Sequence, residues 1–347
     1  MKHKFEDIII NVTQKKKPTD DDRNNYIGLE HLESGNLFIE KYGSERTPDG
    51  EKIVMKKGDV LFGKRRAYQK KVAISPCDGI FSAHGMVLRP KENVICKDYL
   101  PFFISSDKFL DEAIRISVGG LSPTINWKDI KELEFDLPPL DKQEQLAKKL
   151  WAAYEVKQSY LKMITATDEI LISRFLEMFD KVKNKKSLCD ICRPKQWPTI
   201  PASEFTDEGY LVYGANGIIG KYNRYNHEDK TITIACRGAS CGAVNITEPK
   251  SYITGNAMAI DNIIENVQFE YLAYFLHMFD FKRIITGGAQ PQITFTNLKK
   301  VEVPIPSMEL QSEFEKTIKQ ADKSKLELRQ SVAAIEKVIK SLINENL

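Results

Sequence analysis

The sequence has no run of about 18 apolar residues, so no segment reads as a membrane-spanning helix. Its opening, MKHKFEDIII, has a short apolar patch but neither the hydrophobic stretch nor the small-residue cleavage site of a secretory signal, and a cytoplasmic location is expected. Charge of one sign is scarce. Lys and Arg number 51 against 48 Asp and Glu, a net charge of +3, so any affinity for a polyanion must come from clustering and not from the total. Histidine is sparse too: His3, His31, His84, His227 and His277 have no partner at metal-ligand spacing. The six cysteines form no disulfide framework, and Cys77 and Cys96 belong to no pattern. Cys189/Cys192 and Cys236/Cys241 are unequally spaced pairs, with 43 residues between Cys192 and Cys236. They read as small buried hydrophobes, with a pair-plus-pair zinc site as the alternative.

Catalytic signatures are missing as well. There is no GxGxxG, no phosphate-binding P-loop, no HExxH and no nucleophile elbow. The Gly-rich cofactor loop and Asn/Asp-Pro-Pro-aromatic loop of a DNA methyltransferase are also absent. A non-catalytic chain without a cofactor or metal of its own is expected.

What the sequence does contain is a copy of itself. GGLSPTINWKDIKELEFDLPPLDKQEQLAKKL (119–150) aligns without a gap to GGAQPQITFTNLKKVEVPIPSMELQSEFEKTI (287–318), and nine of 32 positions are identical, Gln143/Gln311 among them. Upstream the offset changes from 168 to 172: Arg65 matches Arg237, Ser82–Leu88 matches Thr254–Ile260, and Tyr99-Leu100 matches Tyr271-Leu272. Each copy opens with short strands, at Val54, Val60–Phe62, Val72–Ile74 and Met86–Leu88 in the first. A helix, a Gly-Gly turn with positive φ and a strand at Leu133–Leu137 follow; cradling of a phosphate is the alternative role for the glycines. Pro138-Pro139 then ends the strand and a long helix begins, with Asp141 and Glu144 as a capping box and Leu140 as a hydrophobic staple. Mixed strands and helices in irregular order place the fold in the α+β class.

The long helices are legible from spacing. Leu146, Leu150, Ala153, Lys157, Tyr160, Ile164, Thr167 and Leu171 recur at intervals of three and four. Phe314, Ile318, Ala321, Lys325, Leu328, Val332, Ile335, Ile339 and Leu342 do the same, with Lys157 and Lys325 at equivalent places. About four heptads over roughly 57 Å is a coiled-coil seam, longer than a surface helix on a small domain. Antiparallel pairing is expected, with a globular domain at each end. The expected division is 1–140 and 181–307 for the domains, 141–180 and 308–347 for the helices.

Two globes related by a pseudo-dyad suit a target with a dyad of its own, such as duplex DNA. Residues 56–71, KKGDVLFGKRRAYQKK, hold seven cations against Asp59 alone and suggest a hairpin with a basic tip. Lys57, Lys64, Arg65, Arg66, Tyr68, Lys70 and Lys71 are the candidate contacts, a solvated charged face being the plainer reading. In the second copy the candidates are Lys221, Arg224, Arg237 and Lys250. Lys15–Lys17 are discounted because Asp20–Asp22 follow them. Because the basic sets differ while turns and helices match, a common frame presents two different readers. The rival classes are an adaptor of tandem repeats that touches no DNA, and an enzyme with a diverged site.

The doubled GG-x-x-P-x-I motif before a strand and a Gln-bearing long helix resembles the specificity subunits of type I restriction–modification systems. So do YIGLEHLESG (Tyr26–Gly35), GDVLFGKRRAYQKKVAISPCDGIFS (Gly58–Ser82) and VYGANGIIGKYN (Val212–Asn223). The likeness covers nearly the whole chain, although the second domain is small and Phe5–Ile8 only roughly matches Leu188–Ile191. It implies that each domain reads one half of a bipartite double-stranded DNA target and that the helices set the unread gap. It also implies docking of two methyltransferase subunits carrying S-adenosylmethionine, and restriction subunits that use ATP and Mg. The hairpin at Lys64–Lys71 and the loop at Arg237 would approach the DNA.

Overall fold

A computed structural model describes residues 1–288 and 290–346. Ala289 of the second Gly-Gly turn and Leu347, where the second helix was expected to end, lie outside the described residues. The chain forms two compact units: Met1–Leu161 together with the stretch from Arg329 onward, and Lys162–Leu328.

Unit 1 contains β1 (Lys2–Lys4), α1 (Phe5–Ile8), β2 (Ile9–Asn11), β3 (Lys15–Lys16), β4 (Tyr26–Ile27), β5 (Lys52–Met55), β6 (Val60–Gly63), β7 (Val72–Ile74), β8 (Gly79–Phe81) and β9 (Gly85–Pro90). Then come α2 (Leu100–Ser105), α3 (Asp107–Arg115), α4 (Trp127–Ile130), β10 (Glu134–Asp136) and the start of α5 (Leu140–Phe179). One antiparallel sheet runs β2-β9-β6-β7, a second, mixed sheet runs β3-β5-β8-β4 with β4 parallel to β8, and β1 pairs with β10. All of β6 is buried because both faces are covered. Val60 and Phe62 point into a core of aromatic and aliphatic residues from α1, α2, α3 and α5, and Leu61 points into the smaller core beneath the second sheet.

Unit 2 repeats the plan. Beyond the end of α5 lie β11 (Lys185–Ser187), α6 (Leu188–Ile191), β12 (Arg193–Gln196), β13 (Tyr210–Gly214), β14 (Gly217–Tyr222), β15 (Ile232–Ala235), β16 (Val244–Ile246), β17 (Tyr252–Ile253) and β18 (Ala257–Asp261). They are followed by α7 (Phe269–Met278), α8 (Phe295–Leu298), β19 (Glu302–Pro304) and α9 (Met308–Asn344). The sheet β12-β18-β15-β16 matches β2-β9-β6-β7 strand for strand, and β11-β19 matches β1-β10. The rough sequence match at Phe5–Ile8 and Leu188–Ile191 is therefore structural: both are short helices after the same edge strand. The α+β reading stands, with a short helix, α4 or α8, inserted between each Gly-Gly turn and its strand.

Within each unit the two long helices pack along the expected seam. In unit 1 the start of α5 (Leu146, Leu150) and the end of α9 (Ile339, Leu342, Ile343) share the core. In unit 2 Arg174 bonds Glu313 (2.8 Å) and Lys325 bonds Asp168 (2.9 Å), so α5 and α9 are antiparallel there. Every predicted seam position is buried or half-buried. Leu171 and Phe314 are fully inside, whereas Tyr160, Ile164, Ile318, Leu328, Val332 and Ile335 are only half covered, as two helices without a third layer allow. Lys157 is nearly buried; its Nζ pairs with Glu336 (2.8 Å) and donates to the Gly35 carbonyl (3.2 Å).

The expected cap on α5 is not present. The helix starts at Leu140, so Asp141 already lies in its first turn, and Leu140 is exposed. Gln143 ties the helix down instead. Its Oε1 accepts from the Cys96 N–H (2.8 Å), and its Nε2 donates to the carbonyls of Val94 (3.0 Å) and Pro138 (2.8 Å). Gln311 does the same in unit 2, accepting from the Gln268 N–H (2.8 Å) and donating to Asn266 and Pro306 (3.0 Å each). Both amides are fully buried, which explains why this glutamine is identical in the two copies.

Candidate nucleic-acid interface

Strands β6 and β7 form the expected hairpin, Val60 to Phe62 facing Ile74 to Val72, with Lys64–Lys71 at its tip. The tip is a tight turn at Ala67–Gln69 whose buried Ala67 anchors it and whose Tyr68 is exposed. Arg66 and Lys70, on either side, both adopt left-handed backbone conformations (φ 55° and 47°). Such conformations cost a non-glycine residue about 1 kcal/mol or more and persist only where neighbours enforce them. At Arg66 the enforcing neighbour is the Gly-Gly turn. The Arg66 N–H donates to the Pro123 carbonyl (2.7 Å), the Ile125 N–H donates to the Lys64 carbonyl (2.9 Å), and Arg65 forms an isolated bridge with Thr124.

The turn closes on itself through Val118 and Thr124, with Gly119 at φ 115°, as its sequence predicts. Its tip residue, Leu121, is 98% exposed. His84 completes the cluster: its carbonyl accepts from the Arg65 N–H (3.2 Å), and its Nε2 lies 3.4 Å from an Arg65 guanidinium nitrogen. Burial, then the positive charges of Arg65, Lys64 and Lys52, hold its pKa below the usual histidine value, so at neutral pH it is an uncharged donor and acceptor. Burial and the charge of Lys15 likewise lower the pKa of Lys64.

The seven predicted contacts of this copy do not form one surface. Arg65 and Arg66 have no carboxylate within ion-pair distance among the described residues, and with Lys64 and Tyr68 they form the open part of the tip. Lys70 is turned inward, bonding Asp111 (2.9 Å) and Asp107 (3.5 Å) on α3, and Lys71 donates to the Leu29 carbonyl (2.7 Å). Both are engaged in holding the hairpin. Lys57 stands at the opposite end of β6, roughly 20 Å of strand from the tip, where its N–H donates to Asp78 (2.8 Å). As expected, Lys16 is neutralised by Asp22 (2.9 Å).

In unit 2 the same frame carries a tip of equal length, Cys236–Ala243 between β15 and β16, with Arg237–Ser240 inside it. Arg237 bridges Gln292 as Arg65 bridges Thr124, and the Gly238 N–H donates to Pro291 as Arg66 does to Pro123. Gly287, with φ 87°, closes the second turn, and Asn256 stands where unit 1 has His84. The Ser240 hydroxyl bonds Asn216 (3.2 Å) in the β13–β14 turn, which adds a second loop at this end. Lys221, Arg224 and Lys250 are not beside Arg237. Lys221 lies about 13 Å along β14 from that turn, and Lys250 (φ 55°) pairs with Glu228 (3.6 Å). Sequence reading missed His84, Asn256, Leu121 and Asn216. The available signal was that Arg65/Arg237 and the Gly-Gly turns repeat at different offsets, two separate segments kept in register by one contact.

Cys192 donates to the Leu188 carbonyl (3.0 Å), and Cys236 bonds the Gln196 amide (3.1 Å). Burial pushes the Cys192 thiol up to about 12. Among the described residues no group of three or more His, Cys, Asp or Glu is placed to hold a metal ion, and no helix is long and apolar enough to cross a membrane.

Comparison with known proteins agrees with this double plan. The family model for the type I restriction modification DNA specificity domain matches residues 5–162 and again 180–337. The putative type I restriction enzyme MjaX specificity subunit of Methanocaldococcus jannaschii is 26% identical over 329 residues, covering 83% of this chain and 77% of that protein. The EcoDI specificity subunit of Escherichia coli is 25% identical over 149 residues, 42% of this chain and 33% of that protein. Two solved structures share the fold. The S subunit from M. genitalium has TM-score 0.56 at 15% identity, covering 99% of this chain and 94% of that one. A chain from a study of complex assembly and conformational transition in the type I R-M system has TM-score 0.59 at 17% identity, covering 100% and 97%. Matched over both of its copies, each with a Gly-Gly turn behind an arginine-bearing loop, the chain belongs to the type I restriction–modification DNA specificity family.

Proposed function

We propose that this chain is the DNA-reading subunit of a type I complex, each unit reading one half of a bipartite duplex sequence. The observation that carries this is the pair of unlike loop clusters on one frame: Lys64–Tyr68 with His84 and Leu121 in unit 1, Arg237–Ser240 with Asn256 and Asn216 in unit 2. Arginine supplies bidentate donors to guanine edges and charge to phosphates; histidine and asparagine differ in what they accept and donate, so the two clusters suit different base pairs. Helices α5 and α9 span 40 and 37 residues and pair within each unit, lengths that suit a role in setting the unread gap. The chemistry is assigned to other subunits: methyltransferases carrying S-adenosylmethionine docked on the helices, and restriction subunits using ATP and Mg. A tandem-repeat adaptor that touches no DNA has no comparable support.

Co-expression with the neighbouring methyltransferase, followed by genome-wide mapping of methylated adenines, tests the reading. A two-part motif with a constant gap is expected. Four residues inserted into each long helix add about 6 Å of rise, so the gap should lengthen by about two base pairs at 3.4 Å each. An unchanged motif in the insertion variant would remove the spacer role.

A further inference from the structure

The two units differ at one edge. In unit 1 the outer edge of β7 is covered by the chain itself: Ser34 bridges Lys71, and the Ile74 N–H donates to the Leu37 carbonyl (2.9 Å). This segment is clasped from the helix side. The Tyr154 hydroxyl accepts from the Leu37 N–H (2.6 Å) and bonds Asn36 (2.8 Å), while Lys157 donates to the Gly35 carbonyl. What is left is a groove of about 350 Å³ bounded by Val72, Phe102, Lys157 and Ile339.

In unit 2 the repeat places Val244, Tyr274, Lys325 and Leu171 at the corresponding positions around a groove of about 870 Å³. Among the described residues no segment is hydrogen-bonded at the corresponding place: the chain that follows β13, the counterpart of β4 by its parallel pairing with β17, forms the hairpin with β14 instead. Strand β16 therefore ends its sheet, and Ile246, the counterpart of Ile74, is 51% exposed. Its register against β15 is that of β7 against β6, so the Ile246 N–H faces away from β15. Lys325 pairs with Asp168 as Lys157 pairs with Glu336, but adds Asp322 where Lys157 holds a backbone carbonyl.

From this difference we propose that the groove beside β16 takes an extended segment of the methyltransferase subunit, as Ser34–Leu37 fills its counterpart. The segment lays about four residues along β16, accepts the Ile246 N–H on a backbone carbonyl and seats an aliphatic or aromatic side chain among Leu171, Tyr274 and Val244. Adding a strand in this way satisfies an edge that natural sheets otherwise protect. A second copy of this chain is a poor donor of the segment, because its own Ser34–Leu37 is held by Tyr154 and Lys157.

The proposal rests on assembly with a methyltransferase subunit, and the test separates the two. Amide hydrogen exchange is compared between the isolated full chain and its co-expressed complex with the neighbouring methyltransferase, assembly being followed independently by light scattering. Exchange at Val244–Ile246 slowed about tenfold or more in the complex is expected. A complex of full mass with unaltered exchange there would overturn the groove assignment alone; no complex at all would overturn the assembly reading and the proposal with it. Protection of β16 by self-association of the isolated chain would overturn the choice of occupant. Ile246→Lys, at an exposed position, should weaken the complex about tenfold with an unchanged thermal midpoint, and native affinity would overturn the proposal.

Discussion

Replacing Gln143 by leucine keeps side-chain volume near constant and removes the tie between α5 and the loop ahead of α2. Three partners lose their bond: the Cys96 N–H and the carbonyls of Val94 and Pro138. A buried unpaired N–H costs about 1–3 kcal/mol, and each carbonyl, with a second lone pair, costs less. The total is about 3 kcal/mol. With a urea slope of about 2 kcal/mol/M for a unit of this size, the midpoint of unit 1 should fall by about 1.5 M. Fluorotryptophan NMR resolves this without cutting the chain, since Trp127 and Trp151 lie in unit 1 and Trp197 in unit 2. In Gln143→Leu the first two resonances should move to lower urea by more than the third, and in Gln311→Leu the order should reverse. A shift below about 0.3 M at Trp127 and Trp151 would refute the reasoning. Gln143→Glu adds a sign. It sets a carboxylate against two carbonyl oxygens, which raises its folded-state pKa above the unfolded value of about 4.3. The native state then binds more protons than the unfolded one. The penalty should be absent below that pH and grow as pH rises through the raised value.

Arg65→Ala and Arg66→Ala should each weaken DNA binding by the assembled complex, about fivefold to a hundredfold where a base contact is lost, or reduce the salt slope by about 0.9 where a phosphate contact is lost. Wild-type affinity and slope, measured across a salt series, would remove them from the interface. Lys70→Ala should leave affinity unchanged and cost under about 1 kcal/mol in urea, because its partly exposed pairs with Asp107 and Asp111 are weak. Cys192, whose thiol is pushed up to about 12, should resist iodoacetamide at pH 8 in the folded chain and react once urea unfolds it. Rapid modification of native protein, read by mass spectrometry, would contradict its burial.

The sequence by itself determined the features that depend on local period and on self-similarity. Seam spacing of three and four set which face of each long helix is covered, because a helix side chain's direction follows from its position alone. The alternation in Val60–Phe62 and the Gly-Gly turns set a hairpin and its neighbour, and the internal match set two units on one plan. The tertiary structure decided what depends on distance between segments far apart in the chain. Lys70 and Arg66 look alike in KKGDVLFGKRRAYQKK, yet only Lys70 meets carboxylates, because α3 packs beside one side of the tip and the Gly-Gly turn beside the other. The Asp141 cap gave way to Gln143, since three backbone groups converge on that amide only once the loop before α2 is in place. The bare edge of β16 had no signature either. An edge covered in one copy and left open in the other changes no local pattern, only which backbone groups find partners.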